Sequence, residues 1–145
     1  MGTRGIEGKT ALVTGAASGL GPAMALAFAR EGASLTIADI QTEKLAEVAG
    51  EIEKARGDVL ALTIDVSRPD QLEELARRAN EKYGTVHILV NNAGLNAPRS
   101  GSLANVVDMD PEGWHRLMAV NLTAVFLLTK AILPGMLAKR SGRVI

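Results

Sequence analysis

The chain of 145 residues contains no cysteine. That excludes a disulfide scaffold, a thiolate metal site and a thiol nucleophile, and it fits a reducing compartment such as the cytoplasm. Charge of neither sign is in excess, because 16 basic residues face 16 acidic ones. Neither sign gathers into a block, which argues against a nucleic-acid or anionic-membrane surface. No apolar signal core lies in residues 1–9, and Ile6 breaks the myristoylation pattern that Met1-Gly2 would open. The longest mainly apolar run, 119–129, is interrupted by Asn121 and Thr123 and is too short for a bilayer span, so no membrane partner is expected. The P-loop pattern is missing, since no Gly-Lys-Ser/Thr follows Gly15 at the required spacing. His87 and His115 have no second ligand at metal spacing, so both are expected to be structural and no metal is expected. What remains is a chain that is 47% hydrophobic, enough for one globular domain over residues 1–145.

Strand and helix patterns alternate along this chain. The unalternating apolar run at 10–13 reads as a strand buried on both faces. It is followed by a helix through Met24 and Phe28 ending near Gly32, then by a second strand at 35–38 that stops at Asp39. A helix with Leu45, Val48, Ala49 and Ile52 on one face leads to a third strand at 59–64. Ser67, with Asp70 three positions on, is expected to cap the next helix, whose buried face is Leu72, Leu75, Ala76, Ala79 and Tyr83. A fourth strand at 86–90 ends in Asn91-Asn92-Ala93-Gly94, and 95–109, with Pro98 and Gly101, reads as the one long loop. Asp110 and Pro111 start a helix expected to run over 111–133, roughly 35 Å at 1.5 Å per residue. Its stripe includes Trp114 as a core anchor, Leu117, Leu122, Val125, Ile132 and Leu133, and Pro134-Gly135 is expected to kink or finish it. Residues 141–145 enter a fifth strand that is cut short. Such alternation calls for a doubly wound parallel sheet with helices on both faces, in strand order 3-2-1-4 with the fifth strand truncated.

The residues at 14–21, TGAASGLG, lie where the first strand stops and the first helix starts. Unpaired backbone N–H groups and the positive end of a helix dipole converge there, so an anion belongs in the loop. Gly15 permits the tight turn, Gly19 lets backbone approach phosphate, and Gly21 allows close helix packing. Pro22 fits the first helical turn, at the loss of one donor. Ligands of such sheets bind at the carboxyl ends of the strands, where Gly15, Asp39, Asp65 and Asn91 all fall.

In kind and order these motifs resemble the short-chain dehydrogenase/reductase family of NAD(P)-dependent oxidoreductases: TGAASGLG, Asp39 after strand two, Asp65-Val66 after strand three, NNAG at 91–94, and Asn121 within the long helix. The resemblance runs from about Gly8 to the end of the chain. It implies a Rossmann-type, three-layer α/β/α fold and a cofactor site made of Gly15, Ser18, Gly19, Leu20, Gly21, Asp39, Ile40, Asp65, Val66, Asn91, Ala93 and Gly94. A carboxylate at Asp39 accepts both ribose hydroxyls of NAD and repels a 2′-phosphate. The positions where NADP-preferring members carry a basic residue are Ser18 and Ile40, so NAD is favoured over NADP. Asp65 and Val66 match the adenine contact, and Asn121 matches a supporting catalytic position that holds a water near a lysine. Each residue also has a plainer reading: a solvated strand-end acid for Asp39, a loop cap for Asp65, an Asx turn for Asn91, a satisfied core amide for Asn121.

The family's proton donor is a tyrosine in Tyr-x-x-x-Lys, with a serine after strand five. Here the only tyrosine is Tyr83, and four residues later stands His87. The Ser, Tyr and Lys would fall beyond Ile145, so the chain reads as the cofactor-binding half of a dehydrogenase acting on an alcohol or carbonyl substrate, inactive by itself. Alternatives are a non-catalytic dinucleotide-binding or regulatory module and a fold holding another nucleotide-like ligand, such as an adenosyl donor. Self-association through 111–133 is expected, since part of that apolar stripe would lack cover.

Overall fold

The computed structural model describes residues 5–96 and 106–145. Its elements follow the expected alternation: β1 (Thr10–Thr14), α1 (Gly21–Arg30), β2 (Ser34–Asp39), α2 (Thr42–Lys54), β3 (Val59–Thr63), α3 (Pro69–Tyr83) and β4 (Ile88–Val90). A single 3-10 turn at Val106–Asp108 then precedes α4 (Pro111–Met118), a π turn (Ala119–Thr123), α5 (Ala124–Lys139) and β5 (Arg143–Val144). The sheet is parallel throughout, in order β3-β2-β1-β4-β5. Strand order therefore reverses between β1 and β4, which places the switch point beside the glycine loop.

Alternate residues of each central strand feed opposite layers, as a two-period pleat requires. Ala11, Val13, Leu35, Ile37, Ile88 and Val90 pack under α1 and α2, with Ala25, Ala29, Leu45 and Ile52. Leu12, Ala38 and Leu89 pack on the other face with Leu72, Leu75, Leu128 and Ile132 of α3 and α5. Because both faces of β1 are covered, all five of its residues are buried. β3 lies at the sheet edge, and its residues are only partly covered. Most of the long loop, including Pro98 and Gly101, lies outside the described residues.

Three expectations need correction here. Ser67 does not cap α3: its backbone N–H and hydroxyl both donate to Asp65 Oδ1, at 2.9 and 2.6 Å. The helix starts instead at Pro69 with no side-chain cap. Secondly, the helix expected over 111–133 runs unbroken over Pro111–Lys139, 29 residues. Pro134 sits inside it on the exposed side, where a carbonyl freed of its partner can turn to water while Ile132 and Met136 hold the buried side in place. By length and composition this helix could cross a membrane, which the interrupted 119–129 run did not suggest. In the fold it is the crossover between β4 and β5 and packs on α3.

Thirdly, its buried line is narrower than the expected stripe. Val120, Ala124, Leu128, Ile132 and Met136, four apart, are buried, whereas Trp114 is 49% exposed and Leu122 58% exposed. Leu133 is exposed too. A residue four positions on shifts only slightly around the helix, so one line of side chains faces the sheet and its flanks face outward. Trp114 lies in α4, none of whose residues is buried.

Candidate functional site

A cleft of about 560 Å³ opens at the carboxyl ends of the strands. It gathers nearly every residue expected there: Gly15, Ser18, Gly19 and Leu20 from the loop after β1, Asp39 and Ile40 from β2, Asp65 and Val66 after β3, Asn91, Ala93 and Gly94 after β4, and Asn121. Gly21 does not line it and acts from behind. A Cβ at Gly21 would stand 2.0 Å from the Gly15 carbonyl oxygen and 2.8 Å from Ala16 Cα, so the bare residue lets α1 begin directly against the loop that precedes it. Gly15 has φ +64 and a Cβ there would meet Ala93 Cα at 2.8 Å. Only glycine permits both that turn and that approach.

The loop keeps donors in reserve. Ala16 N–H donates to Ala38 C=O at 3.1 Å and Gly21 N–H to Ser18 C=O at 3.2 Å, while Ala17 N–H donates to Asp39 Oδ2 at 3.0 Å. Among the described residues, the N–H groups of Ser18, Gly19 and Leu20 have no acceptor in the chain. Three successive free donors thus stand at the start of α1, an arrangement of the kind that suits an anion.

The two acids of the cleft are fixed differently. Asp39 is only 7% exposed; its Oδ1 accepts the Gln41 N–H at 2.9 Å and its Oδ2 the Ala17 N–H. A carboxylate has about four acceptor positions, so about two have no donor among the described residues. Asp65 Oδ1 is taken up by Ser67 in an Asx turn, and Asp65 N–H donates to Gln71 Oε1 at 2.7 Å. Its Oδ2 has no donor among the described residues.

Asn121 lies in the π turn, a widened helical turn that accommodates a poor helix former and recurs at functional sites. Contrary to the expectation of a buried amide, it is exposed. Its carboxamide nevertheless has partners in a reciprocal pair: Oδ1 accepts Leu95 N–H at 2.8 Å and Nδ2 donates to Leu95 C=O at 2.9 Å. Asn121 thereby clips the segment after β4 to the long helix.

Thr14 and Asn92 are the residues that local reading undervalued. The Thr14 hydroxyl accepts the N–H groups of Asn92 and Ala93 at 3.2 and 3.1 Å and donates to Val90 C=O at 3.3 Å. Asn92 Nδ2 donates to the carbonyls of Thr14 and Gly15 at 3.1 and 3.0 Å. These bonds lock the glycine loop to NNAG across the switch point. Asn91 instead serves β5, donating its N–H to Ile145 C=O at 2.9 Å. Arg116, Val120 and Val125 also line the cleft. Their spacing, four from 116 to 120 and four from 121 to 125, was the available signal that one helix face points there.

A larger opening of about 780 Å³ lies where the strands begin and gathers Lys9, His87, Arg140 and Arg143, none of them an expected site residue. His87 has a backbone partner: its Nδ1 accepts the Thr10 N–H at 3.2 Å, and burial, aided by Lys9 and Lys139, pushes its pKa down. Tyr83, at the same end of the sheet, donates its hydroxyl to Leu35 C=O at 3.1 Å, and burial is the main cause of its raised pKa. Among the described residues, no group of three or more His, Asp or Glu is placed to hold a metal.

Fold and cleft together define a Rossmann-type α/β architecture, and comparison with known proteins makes the class specific. The model for the short chain dehydrogenase family matches residues 9–145, and this chain belongs to that family. It is 39% identical over 140 residues to the 3-oxoacyl-(acyl-carrier-protein) reductase FabG of Thermotoga maritima, covering 97% of this chain and 55% of that protein. It is 38% identical over 140 residues to the 2,5-dichloro-2,5-cyclohexadiene-1,4-diol dehydrogenase LinX of Sphingobium indicum, covering 97% of this chain and 54% of that protein. A metagenomic short-chain oxidoreductase solved with NADP superposes with a TM-score of 0.89 at 34% identity, over 96% of this chain and 61% of that one. A 7α-hydroxysteroid dehydrogenase solved with NADH and 7-oxo glycochenodeoxycholic acid gives 0.87 at 33% identity, over 96% and 52%. The chain spans about half the length of these curated relatives.

Proposed function

We propose that the cleft binds a nicotinamide dinucleotide, NAD in preference to NADP, and that residues 1–145 form the cofactor-binding part of an oxidoreductase acting on an alcohol or carbonyl substrate. One arrangement carries this reading: the free N–H groups of Ser18, Gly19 and Leu20 share a cleft with the Asp39 and Asp65 carboxylates. The donors suit the pyrophosphate. The acceptors suit the ribose hydroxyls and the exocyclic amine of adenine. Val66 and Val120 supply apolar walls for the base, and Gly15, Ala93 and Gly94 leave room for backbone to approach the cofactor.

When bound, the nicotinamide gives or takes the hydride. This chain's residues hold and orient it, and Asn121 fixes the segment at Leu95 that borders the cleft. No tyrosine, lysine or histidine lines the cleft among the described residues, so the chain alone is expected to bind cofactor without turnover. The enzymes named among its relatives support an oxidoreductase over a regulatory module. Self-association through the long helix is supported by its outward apolar side chains, among them Phe126, 61% exposed, and Leu137, 67% exposed.

Calorimetric titration with NADH and NADPH tests this reading. The Asp39 carboxylate repels a 2′-phosphate, so NADH should bind about tenfold tighter or more. Equal affinities would remove the selectivity assigned to Asp39, and no binding of either would overturn the dinucleotide reading.

A further inference from the structure

We propose that Asp39 is a positioning residue for the phosphate loop in addition to its ribose-accepting role, so that phosphate binding depends on it even where the ribose offers no hydroxyl. The inference rests on the dinucleotide reading of the cleft. The two oxygens of this buried side chain are divided between two stretches of backbone. Oδ2 takes the Ala17 N–H from the middle of the glycine loop, at 3.0 Å and fully within the protein, and Oδ1 takes the Gln41 N–H ahead of α2, at 2.9 Å. Ala17 itself is buried, so its N–H has no ready access to water.

The Ala17 bond matters because of what comes next in the chain. Ala16 is held by the Ala38 carbonyl and Ala17 by Asp39, both at the end of β2. Ser18, Gly19 and Leu20 follow with no acceptor among the described residues. The three free donors thus hang between a tether to β2 on one side and the start of α1 on the other. Removing the carboxylate leaves the buried Ala17 N–H unpaired, and a donor in that position relieves its cost by turning toward another acceptor or toward water. Either movement rotates the adjoining peptides and takes the Ser18 and Gly19 donors off their common focus. A residue that distinguishes cofactors by its charge is therefore also part of the cradle that holds the portion both cofactors share. It follows that replacing Asp39 with a basic residue weakens NADH without a matching gain for NADPH.

The test separates loop from ribose by using ADP and 2′,3′-dideoxy-ADP as probes on the whole 145-residue chain. Wild type should bind both, with the dideoxy compound weaker. Asp39→Ala should lose about tenfold in affinity for dideoxy-ADP, the loss expected from a misplaced set of charge-assisted bonds. Equal dideoxy-ADP affinity in wild type and Asp39→Ala would overturn the positioning role and leave the dinucleotide reading intact. Failure of wild type to bind ADP would overturn both. Amide hydrogen exchange on unliganded wild type gives a readout that does not depend on the variant's folding: Ala17 should exchange far more slowly than Ser18, Gly19 and Leu20. Exchange of all four at one rate would also defeat the proposal.

Discussion

Replacing Thr14 with valine should cost far more stability than its size suggests. The side chain is buried, and its one hydroxyl accepts the N–H groups of Asn92 and Ala93 while donating to Val90 C=O. Valine keeps the volume and the β-branch preferred in a strand, so packing changes little. Two backbone donors lose their acceptor, and an unpaired buried donor costs about 1–3 kcal/mol. Both N–H groups are only part-buried, so we take about 2–3 kcal/mol in all as the expected loss. That is a sizeable share of the ~5–15 kcal/mol by which a domain is stable. At about 2–4 °C per kcal/mol for a domain of this size, the midpoint should fall by roughly 4–12 °C. Thr14→Ser is the control, because it keeps the hydroxyl and loses a methyl group at about 1 kcal/mol. Urea unfolding followed by circular dichroism should give a lower midpoint for the valine variant at an unchanged slope. If Thr14→Val were as stable as Thr14→Ser, the idea that this hydroxyl fastens the loop to NNAG would be wrong.

Other perturbations probe the remaining joints. Gly21→Ala forces a Cβ to within 2.0 Å of the Gly15 carbonyl; the loop must shift, so NADH affinity measured by titration should drop by about tenfold or more even where the variant stays folded. Asn121→Ala should change global stability by less than about 2 kcal/mol, since the side chain is exposed, yet hydrogen exchange at Leu95 should speed up markedly; an unchanged Leu95 rate would exclude the clip. His87 gives the stability a pH dependence. Its folded pKa lies below the ordinary 6.5, through burial first and then Lys9 and Lys139; Arg140 and Arg143 line the same opening. The unfolded chain therefore takes up the proton first as pH falls, so this contribution is complete above about pH 6.5 and declines as acidity increases through the folded pKa. Urea midpoints should follow that decline in wild type, and His87→Gln, which cannot titrate, should flatten it; identical pH profiles would rule out the assignment.

The glycine loop was legible because its constraints are local. A strand end, a turn requiring φ > 0 at Gly15 and a close approach at Gly21 leave their mark within eight residues, and Asp39 and Asp65 follow at strand ends that periodicity places well. Thr14 and Asn92 left no such mark. Their bonds join positions 76 to 79 apart in sequence, and nothing near either residue names its partner. Trp114 shows a different limit: a broad apolar stripe on a helix does not say which line of it meets the sheet, and the buried line proved to be Val120 through Met136 at every fourth residue. The kink or stop expected at Pro134 and the buried amide expected at Asn121 both fail for reasons that lie outside the local pattern. The proline stands on the exposed side, where it does no harm, and the asparagine sits in a π turn whose Leu95 contact depends on the crossover coming to rest beside the cleft.

The central claim, that this cleft is a dinucleotide site, is tested most directly by titrating NADH into the isotopically labelled chain and following amide shifts. The prediction is saturable change centred on Ser18, Gly19, Leu20, Asp39, Asp65, Val66 and residues 91–94, with Lys9, His87, Arg140 and Arg143 at the opposite end of the sheet unmoved. Shifts confined to that opposite end, or none at millimolar NADH, would contradict it.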